Sequence, residues 1–83
     1  MAENRPKRQG QLPLDQSYPA VAHWIRGGWI EIGELEGYGF MARALDHGGV
    51  VAEVRRFTTL DGAMEQLEKR LAHWMVEQGM WPA

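Results

Sequence analysis

A chain of 83 residues with a formal charge of −2 makes one small domain, and its net field is too weak to seek nucleic acid or an acidic membrane. It contains no cysteine, which excludes disulfides, thiolate nucleophiles and Cys-ligated metal. No apolar run approaches the roughly 20 residues that span a bilayer, and no apolar segment follows the basic start as in a secretory signal. A soluble cytoplasmic protein is expected.

Residues 1–16, MAENRPKRQGQLPLDQ, are polar and aperiodic, and are expected to form a flexible tail. Arg5, Lys7 and Arg8 make its first half basic, a candidate nucleic-acid arm. Three cations leave only a small phosphate footprint, so a solubilising tail is the simpler reading. A single domain is expected over 17–79, with 80–83 as a short C-terminal tail.

SYPAVAHWIRGG predicts a short helix. Pro19 suits a first helical position, where its missing N–H has no intrahelical partner. Gly27 is placed to end the helix in the left-handed conformation. Tyr18, Val21, Ala22 and Ile25 share one face, with Trp24 at its edge.

Three strand patterns follow, WIEIGELE, YGFMARALD and VVAEVRRF, separated by the turn sequences EGYG and DHGG. Alternation sorts their side chains into two faces. Ile30, Ile32, Phe40, Ala42, Ala44, Val50, Ala52 and Val54 form a wholly apolar core face. Trp29, Glu31, Met41, Arg43, Leu45, Val51, Glu53, Arg55 and Phe57 form the other. For paired residues to share a face, both turns need an odd loop or a bulge, with Gly37 or Gly39 and Gly48 or Gly49 at positive φ. This register places Ala44 near Ala52 and Arg43 beside Glu53.

TTLDGAMEQLEKRLAHWMVEQG predicts a long amphipathic helix, opened by Thr58 and Asp61 in capping-box spacing and closed by Gly79. Leu60, Ala63, Met64, Leu67, Leu71, Trp74 and Met75 fall on one stripe about 120° wide. The fold class is therefore α+β: a short N-terminal helix, a three-stranded antiparallel meander, and a C-terminal helix packed on one sheet face. The alanines at 42, 44 and 52 keep the floor shallow beneath the helix.

Catalytic and metal chemistry find little support. His23, His47 and His73 show none of the spacings that ligate a metal. Glu34, Glu36 and Asp46 sit around the turns with nothing to raise a carboxyl pKa, and the glycines near them open no phosphate-binding helix. No catalytic residue, metal site or cofactor motif can be named, and an enzyme is not expected.

The second sheet face carries more information. Glu31, Arg43 and Glu53 can form a cross-strand ladder of alternating sign, with Trp29, Met41, Leu45, Val51 and Phe57 around it. Exposed apolar surface of this kind marks an interaction site, and self-association is a common supplement to a small core. Trp29, Glu31, Met41, Arg43, Leu45, Val51, Glu53, Arg55 and Phe57 are the candidate contact residues, and a homodimer is expected.

The run from GWIEIG through ARALDHGG and VVAE to TTLDGAMEQLEKRLAHWM resembles short bacterial proteins of unassigned function with a βββα plan. Its latter half, GGVVAE and TTLDGAMEQLEKRLAHW, is distantly similar to HicB-type antitoxins. That resemblance implies a partial RNase H-like sheet-and-helix domain that binds a protein toxin, often with a DNA-binding segment attached. It assigns no functional residue here. The reading is a small non-catalytic protein–protein interaction domain that self-associates; a nucleic-acid accessory or antitoxin-like regulator is the alternative.

Overall fold

The computed structural model describes residues 13–82. Two short helices, α1 (Leu14–Ser17) and α2 (Pro19–Trp24), lead into β1 (Trp29–Leu35), β2 (Gly39–Asp46) and β3 (Gly49–Phe57). The long helix α3 (Leu60–Glu77) follows. The strands form an antiparallel meander in the order β1-β2-β3, and α3 lies over β3 and β2. This is the α+β plan that alternation and the apolar stripe predict. The short helix α1 begins within the stretch read as the N-terminal tail, and Trp81, in the stretch read as the C-terminal tail, packs against the core.

The core forms where the helix stripe meets the alanine floor. Ala42 and Ala44 are fully buried on β2, and Leu67, Leu71 and Met75 are fully buried on α3. Each large apolar side chain removed from water contributes roughly 1.5–3 kcal/mol. Small floor residues let the helix approach, so its long side chains fill the gap instead of holding it open.

The termini of α3 are closed by local chemistry. Its N-cap is Thr59, one residue later than the spacing suggested, and the Thr59 hydroxyl accepts the Gly62 N–H at 3.0 Å. At the other end Gly79 takes φ 73°, the Met80 N–H reaches the Met75 carbonyl at 2.8 Å, and the Gly79 N–H reaches Val76 at 3.0 Å. These paired bonds form a Schellman motif, which satisfies carbonyls the helix leaves open.

The α2 helix is tied down from a distance. It has no side-chain cap of its own, and the Glu68 carboxylate on α3 accepts the N–H groups of Ala20 at 2.7 Å and Val21 at 2.9 Å. The Trp24 indole donates to the Leu45 carbonyl at 3.0 Å and meets the Trp74 ring edge-to-face, with centroids 5.7 Å apart. Gly27 does not take the left-handed conformation expected of it. The glycine that matters is Gly28, where an added Cβ would lie 2.5 Å from the Leu45 carbonyl oxygen and 2.6 Å from the Trp24 indole nitrogen.

The two hairpins meet the parity requirement differently. Between β1 and β2 the three-residue loop Glu36–Gly37–Tyr38 joins the pair Leu35 and Gly39, with Gly37 and Gly39 both at positive φ. Every residue of β1 then pairs in unbroken register, from Trp29 with Leu45 to Leu35 with Gly39. Between β2 and β3 a two-residue turn at His47–Gly48 is followed by an irregularity: Leu45 pairs with Val50, but Ala44 pairs with Ala52. Val51 is the extra residue of a bulge. A second bulge lies between the pairs Ala42–Val54 and Phe40–Phe57, where Arg56 takes φ 69°.

These bulges correct three face assignments. Val51 and Phe57, expected on the second face, pack against the core, whereas Val50, expected in the core, is 47% exposed. Each bulge offsets the alternation by one residue, so side chains on either side of it change face relative to a regular strand. Ile32 keeps its expected face but is 52% exposed, because α3 covers β2 and β3 and leaves β1 at the margin.

Candidate functional site

The sheet face opposite α3 is the surface on which the candidate residues gather. Among the described residues no helix packs on it, since α2 lies against α3 on the other side. Register builds it in rows across the three strands. Trp29, Leu45 and Val50 form an apolar row at one end. Glu31, Arg43 and Glu53 form the next, and Gly33 and Met41 the one after. Gly33 has no side chain, and a Cβ there would meet the Met41 sulfur at 3.7 Å, so Met41 lies over the space.

The charged row is neighbourly in register but not a simple ladder. Arg43 turns to β1: its Nε donates to Glu31 Oε1 at 2.8 Å, and its Nη2 lies 2.7 Å from the same oxygen. The Trp29 indole donates to the other Glu31 oxygen at 3.3 Å. Hydrogen bonds from Arg43 first, then from Trp29, hold the Glu31 carboxyl below its usual value. Glu53 pairs with Arg55 on its own strand, and its backbone carbonyl accepts from Arg70 of α3 at 3.4 Å. Two carboxylates and two guanidiniums therefore balance across the face.

The apolar members differ in exposure. Trp29 is 40% exposed and stands edge-on to the His47 imidazole, with centroids 5.7 Å apart. Leu45 is buried between its register neighbours Trp29 and Val50. Of the nine candidate contact residues, Trp29, Glu31, Met41, Arg43, Leu45, Glu53 and Arg55 sit at this face or its rim. Val51 and Phe57 pack with the core.

Sequence reasoning missed part of the surface. Val50 joins the apolar row, and a cleft of about 550 Å³ lies at the hairpin end between Leu35, Glu36, Tyr38, Arg55 and Arg56. The Arg56 guanidinium carbon lies 5.9 Å from the centroid of the Tyr38 ring. The available signal for Val50 was the DHGG turn: a two-residue turn there forces a bulge soon after, and a bulge moves the valines.

The three histidines lie on α2, the second turn and α3, and among the described residues no group of three or more His, Cys, Asp or Glu side chains comes together to hold a metal. Among the described residues no helix is long and apolar enough to cross a membrane. The basic arm residues Arg5, Lys7 and Arg8 lie outside the described residues. In comparisons with protein-family models, curated proteins and solved structures, the chain matches none, so its function is read from its geometry.

Proposed function

We propose that this protein is a small non-catalytic protein–protein interaction domain that self-associates. The observation that carries the reading is the one-sided covering of the sheet. Among the described residues the helices gather on one face, and the other presents Trp29, Val50 and Met41 around charges that cancel. Trp and Arg are the side chains most often found at the energetic centre of protein interfaces, because both offer large contact area with a polar handle. Arg43 is already held in place by Glu31, so docking immobilises little further side-chain freedom.

Multi-angle light scattering from micromolar to millimolar concentration tests the self-association. The expected result is a mass above that of one chain, rising with concentration. A mass of one chain throughout would falsify it.

A further inference from the structure

The two edges of the sheet are built differently. The outer edge of β3 carries the defences that proteins use against unwanted strand pairing. It has two bulges, the adjacent arginines Arg55 and Arg56, and the Arg70 side chain donating to the Glu53 carbonyl. The outer edge of β1 has none of these. Its seven residues run in unbroken register from Trp29 to Leu35, with no lysine, arginine or proline among them. Because among the described residues β1 pairs on one side only, every second residue directs its N–H and C=O away from the sheet. Flanking that edge, Ile32 is half-exposed on the helix side and Trp29 and Leu35 are each 40% exposed on the open side.

Resting on the self-association proposed above, but placing its contact at the strand edge and not on the open face, we infer that a second copy of this chain joins at β1, antiparallel across a two-fold axis at Ile32. The meander then continues into a six-stranded sheet. Charge selects this register. With Ile32 on the axis, Ile32 meets the partner's Ile32, Glu31 meets the partner's Gly33 and Trp29 meets the partner's Leu35. Glu34 falls against the partner's Ile30, so no carboxylate faces another. Moving the axis one residue back sets Glu31 directly against the partner's Glu31, a like-charge pair that is destabilising. Moving it one residue forward sets Ile32 against the partner's Glu34 and separates the central isoleucines. The interface is isologous, as closed dimers require. The perpendicular two-fold axis keeps each face on its own side: the two α3 helices above, and the two open faces joined below as one surface of double width.

Single-cysteine variants test this directly, because the chain has no cysteine of its own. Under mild oxidation Ile32→Cys is expected to cross-link nearly completely to its own copy, since a residue on the axis brings two Cβ atoms within disulfide reach. Glu34→Cys, two residues off the axis, is expected to stay uncross-linked. Ile32→Lys is expected to shift the scattering mass to that of one chain with its circular dichroism unchanged, because the half-exposed side chain contributes little to the monomer. If the mass exceeds one chain but Val50→Cys cross-links in place of Ile32→Cys, the copies meet through their open faces, and the edge assignment falls while self-association stands. A single-chain mass for the unmodified protein at every concentration overturns both.

Discussion

The Glu68 carboxylate accepts the Val21 N–H at 2.9 Å across 47 residues of chain, and with the same group accepts the Ala20 N–H. An acidic side chain on the last helix thus serves as the N-terminal cap of an early one. Opposite charge at a helix start and two charge-assisted hydrogen bonds both act in the same direction. Glu68→Ala should cost about 1–3 kcal/mol, read as a lower midpoint in thermal or urea unfolding. Glu68→Gln, which keeps an acceptor, should cost less. Equal stability of all three proteins would show that α2 is held by its apolar contacts alone.

The close approach at Gly28 predicts a contrast between neighbours. Gly28→Ala drives a methyl into the Leu45 carbonyl and the Trp24 indole, and should destabilise by about 1–3 kcal/mol. An added Cβ at Gly27 meets nothing within 4 Å, so Gly27→Ala should change stability by less than about 0.5 kcal/mol. Tryptophan fluorescence gives a second readout, since only the Gly28 variant displaces Trp24. Matching effects at the two sites would remove the steric explanation.

Leu71 lies fully buried above the alanine floor. Leu71→Ala leaves a cavity that the small floor residues cannot fill, with an expected loss of about 2–5 kcal/mol. In a domain of this size that loss is a large part of the whole, so the midpoint of thermal unfolding should fall by many degrees. The complementary change Ala44→Val, beneath the same helix, should also destabilise, by overpacking.

Glu31 yields a prediction in pH. Its carboxyl is held below the usual value of 4.5, chiefly by Arg43 and secondarily by the Trp29 indole. The sign follows from linkage: the ionised form is favoured in the folded state, so the contribution is complete above the unfolded value and is lost as pH falls through the lowered folded value. Carboxyl-carbon NMR should place the Glu31 midpoint below the usual 4.5 in the native protein and higher in Arg43→Met than in the native protein. An unchanged midpoint in that variant would mean that Arg43 is a neighbour of Glu31 without being its partner.

Much of this architecture was legible in residue order, and the illegible part has identifiable causes. Alternation paired Ala44 with Ala52 and set Arg43 beside Glu53, and both neighbours stand in the observed register. Parity also demanded an irregularity at each turn, and the meander has a three-residue loop at one and a bulge at the other. What parity left open was the form of the second irregularity. An odd loop keeps Val50 inward, whereas the two-residue turn with a following bulge turns Val51 inward and Val50 out. The choice depends on backbone twist and on Gly49 at φ 117°, neither of which hydrophobic spacing encodes. Phe57 moved for the same reason, through the bulge at Arg56. The Glu68 cap had no local signature, because its partners are 47 and 48 residues away. The half-exposure of Ile32 depends on where α3 rests across the strands, a tertiary outcome that β1 cannot announce.

The bulges in β3 have a consequence for how the gene can vary. Removing one codon at Val51 or at Arg56 converts a two-against-one step into an ordinary rung, and every other pair of the ladder keeps its partner. Removing one codon from the unbroken β1 throws every residue on one side of the deletion onto the wrong face. Divergent copies of this gene should therefore differ in length within the third strand long before they differ in the first.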